Sequence, residues 1–303
     1  VNINFDKRLI RVIGLVGVVA AVAVGLMVGA VGVAQNARVI VIDDRGLEIV
    51  IDQPVGRIVV AGTPLYSEIL VDLGVDDLIV GVAESADNPE EVSDLPSIGT
   101  SFQPNIEEVI ALEPDVVFGA IFDARDQLEA AGIVVVTPVG FITSVPDIFK
   151  VIRDVGAIVN ESVRAELLIG EISSEIVELE SHVAQEERLT AAFLFAFSAT
   201  DPPFTTPKGS VEGELISRAG GINIFADASP DAPVSFETII ERNPDVIFTD
   251  PSQIENITGN PLLQEIDAVV NNRVYGVSAS ALTSTRVVDA LRVMAAHLHP
   301  ESF

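Results

Sequence analysis

The sequence predicts an α/β protein of two similar lobes joined by a single long helix, preceded by an apolar anchor or signal helix. Three observations carry this reading. A helical period runs from Asn160 to about Arg188, one residue pattern occurs on both sides of it, and short β-branched runs alternate with helical stretches elsewhere.

In the central stretch Val163, Leu167, Ile172, Ile176, Leu179 and Val183 recur at steps of mostly three and four, with Ser, Glu, Arg and His between them. This is the spacing of an amphipathic helix. Asn160 or Ser162 supplies a cap, and no proline interrupts the following residues. At about 1.5 Å per residue the helix is roughly 35 to 40 Å long, the width of a small domain.

The repeated pattern sits on either side. Residues 105–118 read Asn-Ile-Glu-Glu-Val-Ile-Ala-Leu-Glu-Pro-Asp-Val-Val-Phe, and residues 235–248 read Ser-Phe-Glu-Thr-Ile-Ile-Glu-Arg-Asn-Pro-Asp-Val-Ile-Phe. In both, Glu107 or Glu237 stands seven residues before a Pro-Asp pair. Each copy predicts a short helix stopped before proline and then a buried parallel strand. The expected division is 1–37 as the anchor or signal segment, 38–145 as the first lobe, 146–189 as linker helices and 190–303 as the second lobe.

The amino-terminal segment has Lys7, Arg8 and Arg11 before Val12 to Ala34, which carry no charge. A run of this length can span a bilayer, and the basic flank would leave everything after it outside the cell. The expected location is therefore extracytoplasmic, at the cell surface, either anchored through residues 12–34 or secreted after cleavage. Next come a hairpin over Val39–Asp43 and Glu48–Ile51, a strand at Arg57–Ala61, a helix from Tyr66 to Leu73 and a strand at Ile79–Val82. After the first repeat, Asp126–Ala131 predicts a helix and Ile133–Val136 a strand. The second lobe opens with a strand at Ala191–Phe197, a proline-rich loop from Ser198 to Ser210 and a helix over Val211–Ala219. After the second repeat follow a loop through Asn256, a short helix near Leu262–Ile266, a strand at Val274–Val277 and a last helix from about Thr285 to Leu298. Both lobes thus read as Rossmann-like, with ligands expected at the carboxyl ends of their strands.

Composition narrows the chemistry. The chain has 303 residues with 45 acidic against 17 basic side chains, a net charge of −28, which argues against a nucleic-acid partner. Its acidity is spread along the chain, and lysine is confined to Lys7, Lys150 and Lys208; we read this as a halophilic surface whose self-repulsion strong salt would screen. With no cysteine, disulfides, thiolate metal sites and cysteine nucleophiles are impossible. No Gly-x-Ser-x-Gly, phosphate loop or dinucleotide fingerprint is present. His182, His297 and His299 lie on the linker and near the carboxyl end, where they do not easily converge on a metal or a catalytic triad. No enzymatic activity and no resident cofactor are expected.

The order of elements from residue 38 onward resembles the helical-linker class of ABC-transporter solute-binding proteins, which carries cobalamin, ferric siderophores and haem. The matching pieces are Arg57-Ile58-Val59, Glu68-Ile69-Leu70, Leu73-Gly74, the two Glu-to-Pro-Asp repeats, Gly220-Gly221-Ile222-Asn223, Asn272-Arg273-Val274-Tyr275 and Arg286 at the final helix. Pro202-Pro203-Phe204-Thr205, Ser210 and Gly220–Phe225 look most like the cobalamin-binding members. The chain departs from them in having no Trp and only Tyr66 and Tyr275.

The resemblance implies a ligand cleft between the lobes, with cobalamin or another metal chelate as cargo and an ABC permease with its ATPase as partners. The loops expected to face that cleft hold Thr63, Tyr66, Ser101, Phe102, Phe204, Thr205, Lys208, Ser210, Asp231 and Arg286. Tyr66, Phe102 and Phe204 would give flat apolar contact, and the hydroxyls would meet a polar rim. Arg286 has the alternative of pairing with a local carboxylate. Glu107 and Glu237 are implied to dock with permease arginines, one on each lobe. A ferric-siderophore or haem binder of the same class, an anchored sensor or adhesion domain, and a hydrolase or metal enzyme on a two-lobed scaffold are the alternatives.

Overall fold

The computed structural model describes residues 38–229 and 233–303. The expected anchor or signal segment, residues 1–37, lies outside the described residues, as does Asp231.

Two separate sheets organise residues 38–303. A hairpin of β1 (Arg38–Ile42) and β2 (Glu48–Asp52) comes first, paired antiparallel as its alternating sequence predicts. The first sheet is all parallel, built from β3 (Ile58–Val60), β4 (Ile79–Val82), β7 (Val116–Phe118) and β8 (Val135–Val136) in the order β4-β3-β7-β8. A small hairpin, β5 (Gly99–Thr100) with β6 (Gln103–Pro104), stands beside it. Around the first sheet lie α1 (Pro64–Asp72), α2 (Ile106–Ala111) and α3 (Phe122–Ala130).

The second sheet runs β10-β9-β12-β13, from β9 (Thr190–Phe195), β10 (Phe204–Thr205), β12 (Val246–Thr249) and β13 (Val274–Gly276), with β11 (Ile222–Asn223) on the opening residues of β9. Its helices are α6 (Val211–Arg218), α7 (Phe236–Arg242), α8 (Ile254–Thr258), α9 (Asp267–Val270), α10 (Ala279–Leu282) and α11 (Val287–Leu298). Among the described residues no strand of one sheet pairs with a strand of the other.

The two halves are bridged by α4 (Val145–Ile158) and the longer α5 (Ser162–Val183). Buried side chains form one continuous apolar core from Ile58 and Phe118, through Ile152 and Ile172 of the bridging helices, to Phe193 and Leu291. Smaller clusters cover the outer face of each sheet.

The repeated pattern folds the same way twice. Asn105 caps α2 by accepting from the backbone N–H of Glu107 and Glu108, and Ser235 caps α7 by accepting from that of Thr238. Each helix ends before its proline at a residue with left-handed backbone, Glu113 (φ 46°) and Asn243 (φ 40°).

Four expectations need correction. The bridging helix begins at Ser162 rather than Asn160, because Asn160 (φ 61°) ends α4, and neither Asn160 nor Ser162 caps α5. Its inward face is Ala165, Ile169, Ile172, Ile176, Leu179 and Val183, while Val163 and Leu167 are exposed at 79% and 62%. The Asn256 region is helix α8 and Leu262–Ile266 is turns, the following helix starting at Asp267. Phe204, expected in a loop, is in strand register opposite Phe195.

Candidate functional site

The carboxyl ends of three parallel strands meet at one cavity. β3 leads to Gly62–Tyr66, β7 to Gly119–Ile121 and β8 to Thr137–Ile142, and these segments line a space of about 200 Å³ with Ser101, Phe102 and, from the other half, Thr283. The backbones crowd closely at its floor. Gly119 has φ +78°, and a Cβ there would lie 2.5 Å from the Gly62 Cα, so only glycine fits.

Tyr66 belongs to this floor. Its ring stacks on Phe118 with centroids 5.8 Å apart and planes 8° from parallel, and only 4% of the residue is exposed. Burial holds its hydroxyl well above the usual phenol range, so it stays neutral. Thr63 is exposed where α1 begins. The Ser101 hydroxyl donates to the Gly62 carbonyl at 2.7 Å, tying the β5–β6 hairpin to the end of β3. Phe102 stands 71% exposed, and Phe141 across the same cavity is 61% exposed with a neighbour in Phe122 at 6.2 Å.

A second space of about 220 Å³ continues between the halves, with Thr63, Pro64 and Leu65 on one side and Ala279, Ser280 and Thr283 on the other. A third, of about 460 Å³, lies between Ile142–Thr143 and the segments Pro207–Glu212 and Ala226–Ala228. Ile142 lines both the first and the third. A broader groove of about 1050 Å³ runs on from the third along the end of α5, past Arg188 and Arg218.

The third space is polar. Lys208 is exposed there and has no carboxylate partner among the described residues. Ser210 is committed to the chain: its hydroxyl donates to the Pro207 carbonyl at 2.9 Å and accepts from the Gly213 N–H, capping α6. Burial pushes the Glu212 carboxyl up, against the pull of its own backbone and of Ser210.

Of the residues the sequence nominates, Thr63, Tyr66, Ser101 and Phe102 come together at the first cavity, and Lys208 and Ser210 at the third. Phe204, Thr205 and Arg286 line none of these spaces. The Thr205 hydroxyl is buried and donates to the Phe193 carbonyl at 3.1 Å. Arg286 pairs not with a local carboxylate but with Glu68 of the other half, at 2.6 Å. Glu107 and Glu237 are both exposed in the first turns of α2 and α7. Phe141, Glu212 and Thr283 also line these walls without a sequence motif to mark them; Phe141 was within reach of the rule that loops after parallel strands gather ligands.

The histidines are all occupied away from these spaces. His182 bonds the Ser302 carbonyl at 2.7 Å, His299 the Ala219 carbonyl at 3.0 Å, and His297 stacks on Tyr275. Among the described residues no group of His, Asp and Glu could hold a metal ion.

Known proteins share this architecture. The chain is 27% identical over 274 residues to YvrC of Bacillus subtilis (strain 168), described as an uncharacterized ABC transporter substrate-binding lipoprotein, covering 87% of each chain. It is 27% identical over 222 residues to a vitamin B12-binding protein of Yersinia pestis (strain Pestoides F), covering 70% of this chain and 76% of the relative. Among solved structures it superimposes on the apo form of the periplasmic heme-binding protein RhuT from Roseiflexus sp. RS-1 with a TM-score of 0.74 and 25% identity, covering 82% of this chain and all of that one. Residues 59–281 match the family model described as periplasmic binding protein, and with two sheets bridged by helices around a shared cleft, the chain belongs to that family.

Proposed function

We propose that this protein is the solute-binding component of an ABC importer, and that it captures cobalamin or a related corrinoid in the cleft between its halves and delivers it to a membrane permease and its ATPase. One observation carries the choice of cargo. The cleft presents exposed phenylalanine faces, Phe102 and Phe141, beside hydroxyls, while its only tyrosine is stacked with a buried neutral hydroxyl and no histidine lines it. That surface suits a macrocycle that brings its own metal ligands and an amide rim, more than one that takes an axial ligand from the protein. The relationship to vitamin B12-binding proteins supports the same reading.

Thr63, Ser101 and Lys208 are then the polar contacts, with Asp231 on the second half. Glu107 and Glu237 are the docking carboxylates for arginines of the permease, and the acidic surface adapts the protein to strong salt. Residues 12–34 place it outside the cytoplasm, as an anchor or a cleaved signal.

A ferric-siderophore or haem cargo is the second reading, favoured by the likeness to the Roseiflexus heme-binding protein. Incubation with aquocobalamin, haemin or ferrichrome, followed by desalting and visible spectroscopy, separates the two. Retention of the corrinoid bands at about one per chain is expected. Retention of haemin or ferrichrome without cobalamin overturns the corrinoid assignment.

A further inference from the structure

A single ion pair joins the two halves directly among the described residues, and it stands behind the cleft. Glu68 lies one turn along α1 from Thr63–Tyr66, which wall the first cavity; Arg286 lies three residues beyond Thr283, which faces them. The Arg286 Nε donates to Glu68 Oε1 at 2.8 Å, its Nη2 approaches the same oxygen at 2.6 Å, and the Thr285 hydroxyl donates to Oε2 at 3.3 Å. The pair spans 218 residues of sequence.

Its setting decides its role. The Glu68 side chain is 7% exposed, whereas the guanidinium side is 42% exposed. Burial raises the Glu68 carboxyl above its ordinary value even against Ser284 and Arg286, so this contact is not an optimised source of stability. What a directional, partly buried pair does supply is geometry. Elsewhere among the described residues each ion pair lies within one half, within the bridging helices or between a half and those helices, as in Arg218–Glu180 and Arg292–Glu175. Those two ion pairs fix the second half to the bridge, not one cleft wall to the other.

We infer that the Glu68–Arg286 pair is a positioning latch that holds the facing walls, Thr63–Tyr66 and Ala279–Thr283, at a defined separation in the unliganded protein. Neither residue touches cargo in this role. Each acts through the wall it belongs to, so that the cleft is set to one width before a ligand arrives and little binding energy goes into finding it.

The test needs no ligand, so its result is independent of which cargo the cleft takes. The chain has no native cysteine, and Glu108→Cys with Glu241→Cys puts one spin label on an exposed helical site in each half. Distances are measured by pulsed electron paramagnetic resonance. The parent pair is expected to give one narrow distribution; Glu68→Gln, which keeps the shape and removes the charge, is expected to broaden it and shift it. The charge-reversed double variant Glu68→Arg with Arg286→Glu is expected to narrow it again, which loss of packing alone would not produce. Should Glu68→Gln fail to fold, Arg286→Gln, altered on the more exposed side, gives the same reading. A distribution in the neutral variant identical to the parent overturns the inference.

Discussion

Asp245 accepts two hydrogen bonds from Thr190, one from the backbone nitrogen at 2.8 Å and one from the hydroxyl at 2.5 Å. In the first half Asp115 does the corresponding work, accepting from the backbone nitrogens of Gly56 and Arg57 at 2.7 and 2.8 Å. Each aspartate belongs to a Pro-Asp pair, and each fastens the start of the neighbouring strand, β9 or β3, to the strand that follows it. The repeated dipeptide is thus a device for strand alignment. Asp245→Asn is expected to lower stability by roughly 1–3 kcal/mol, as for a part-buried hydrogen-bonded group left with a poorer partner. The more exposed Asp115→Asn should cost less. Urea unfolding of the two variants checks both the loss and its order.

The helix before each aspartate ends on a residue in left-handed backbone. Glu113, at φ 46°, is the less suited of the two, since Asn tolerates that region better. Glu113→Gly is expected to stabilise the protein by about 1 kcal/mol. Asn243→Gly should gain less, because the Asn243 side chain donates to Asp267 at 2.7 Å and that bond is lost. Thermal unfolding of both variants tests the difference.

The bridging helix offers a contrast between two pairs of apolar residues. Replacing exposed Val163 or Leu167 by Gln is expected to change stability by about 0.5 kcal/mol or less. Ile172→Ala or Ile176→Ala, on the buried side, is expected to cost about 2–5 kcal/mol. Equal effects in the two sets would contradict the observed helix phase.

Two partly desolvated carboxyls set a pH dependence, Glu212 half-buried and Asp72 at the exposed end of α1. Glu212 and Asp72 are both raised by burial, Glu212 from an ordinary value of 4.5 and Asp72 from 3.8. A carboxyl with a raised folded value favours the folded state when protonated; that contribution is complete below the unfolded value and is lost as pH climbs through the folded one. The melting temperature should therefore gain from these two groups as pH falls from neutral toward their ordinary values of 4.5 and 3.8. Glu212→Gln should show a smaller gain over that window than the parent. An unchanged pH profile in the variant would remove Glu212 from the account.

At the cleft, Phe102→Ala and Phe141→Ala are each expected to weaken aquocobalamin binding about tenfold, the effect of removing an exposed aromatic contact of about 1.4 kcal/mol. Phe204→Ala is expected to do less, since Phe204 lines none of the cavities. Titration calorimetry gives the comparison.

Much of this architecture was legible in the sequence because local rules suffice for it. The paired repeats, the hairpin and the buried β-branched strands depend on neighbours a few residues away. The phase of the bridging helix was not legible. It is set where α4 crosses α5, with Ala165 so close to Gly156 that a Cβ on that glycine would lie 2.4 Å from the alanine methyl. Two small residues decide that crossing, and hydrophobicity gives them little weight beside Val163 and Leu167. At the site, the loop after β3 was foreseeable from a strand end, whereas Ser101 and Phe102 were expected only as loop residues. The pairing of Arg286 with Glu68 was not foreseeable, since its partner is distant in sequence and its own neighbourhood offers no hint. The burial of Tyr66 was not legible either: its stacking partner Phe118 lies on β7, and only the fold turns its ring into the cavity floor.

The unbroken apolar core through the bridging helices also limits how the molecule can yield. Each half has a small apolar cluster of its own, but the main core is shared through the bridging helices, so prising the halves widely apart would wet surface that belongs to both. At about 25 cal/mol per Å², every 100 Å² uncovered would cost about 2.5 kcal/mol. A body built this way is expected to yield by small displacements of its walls rather than by wide opening.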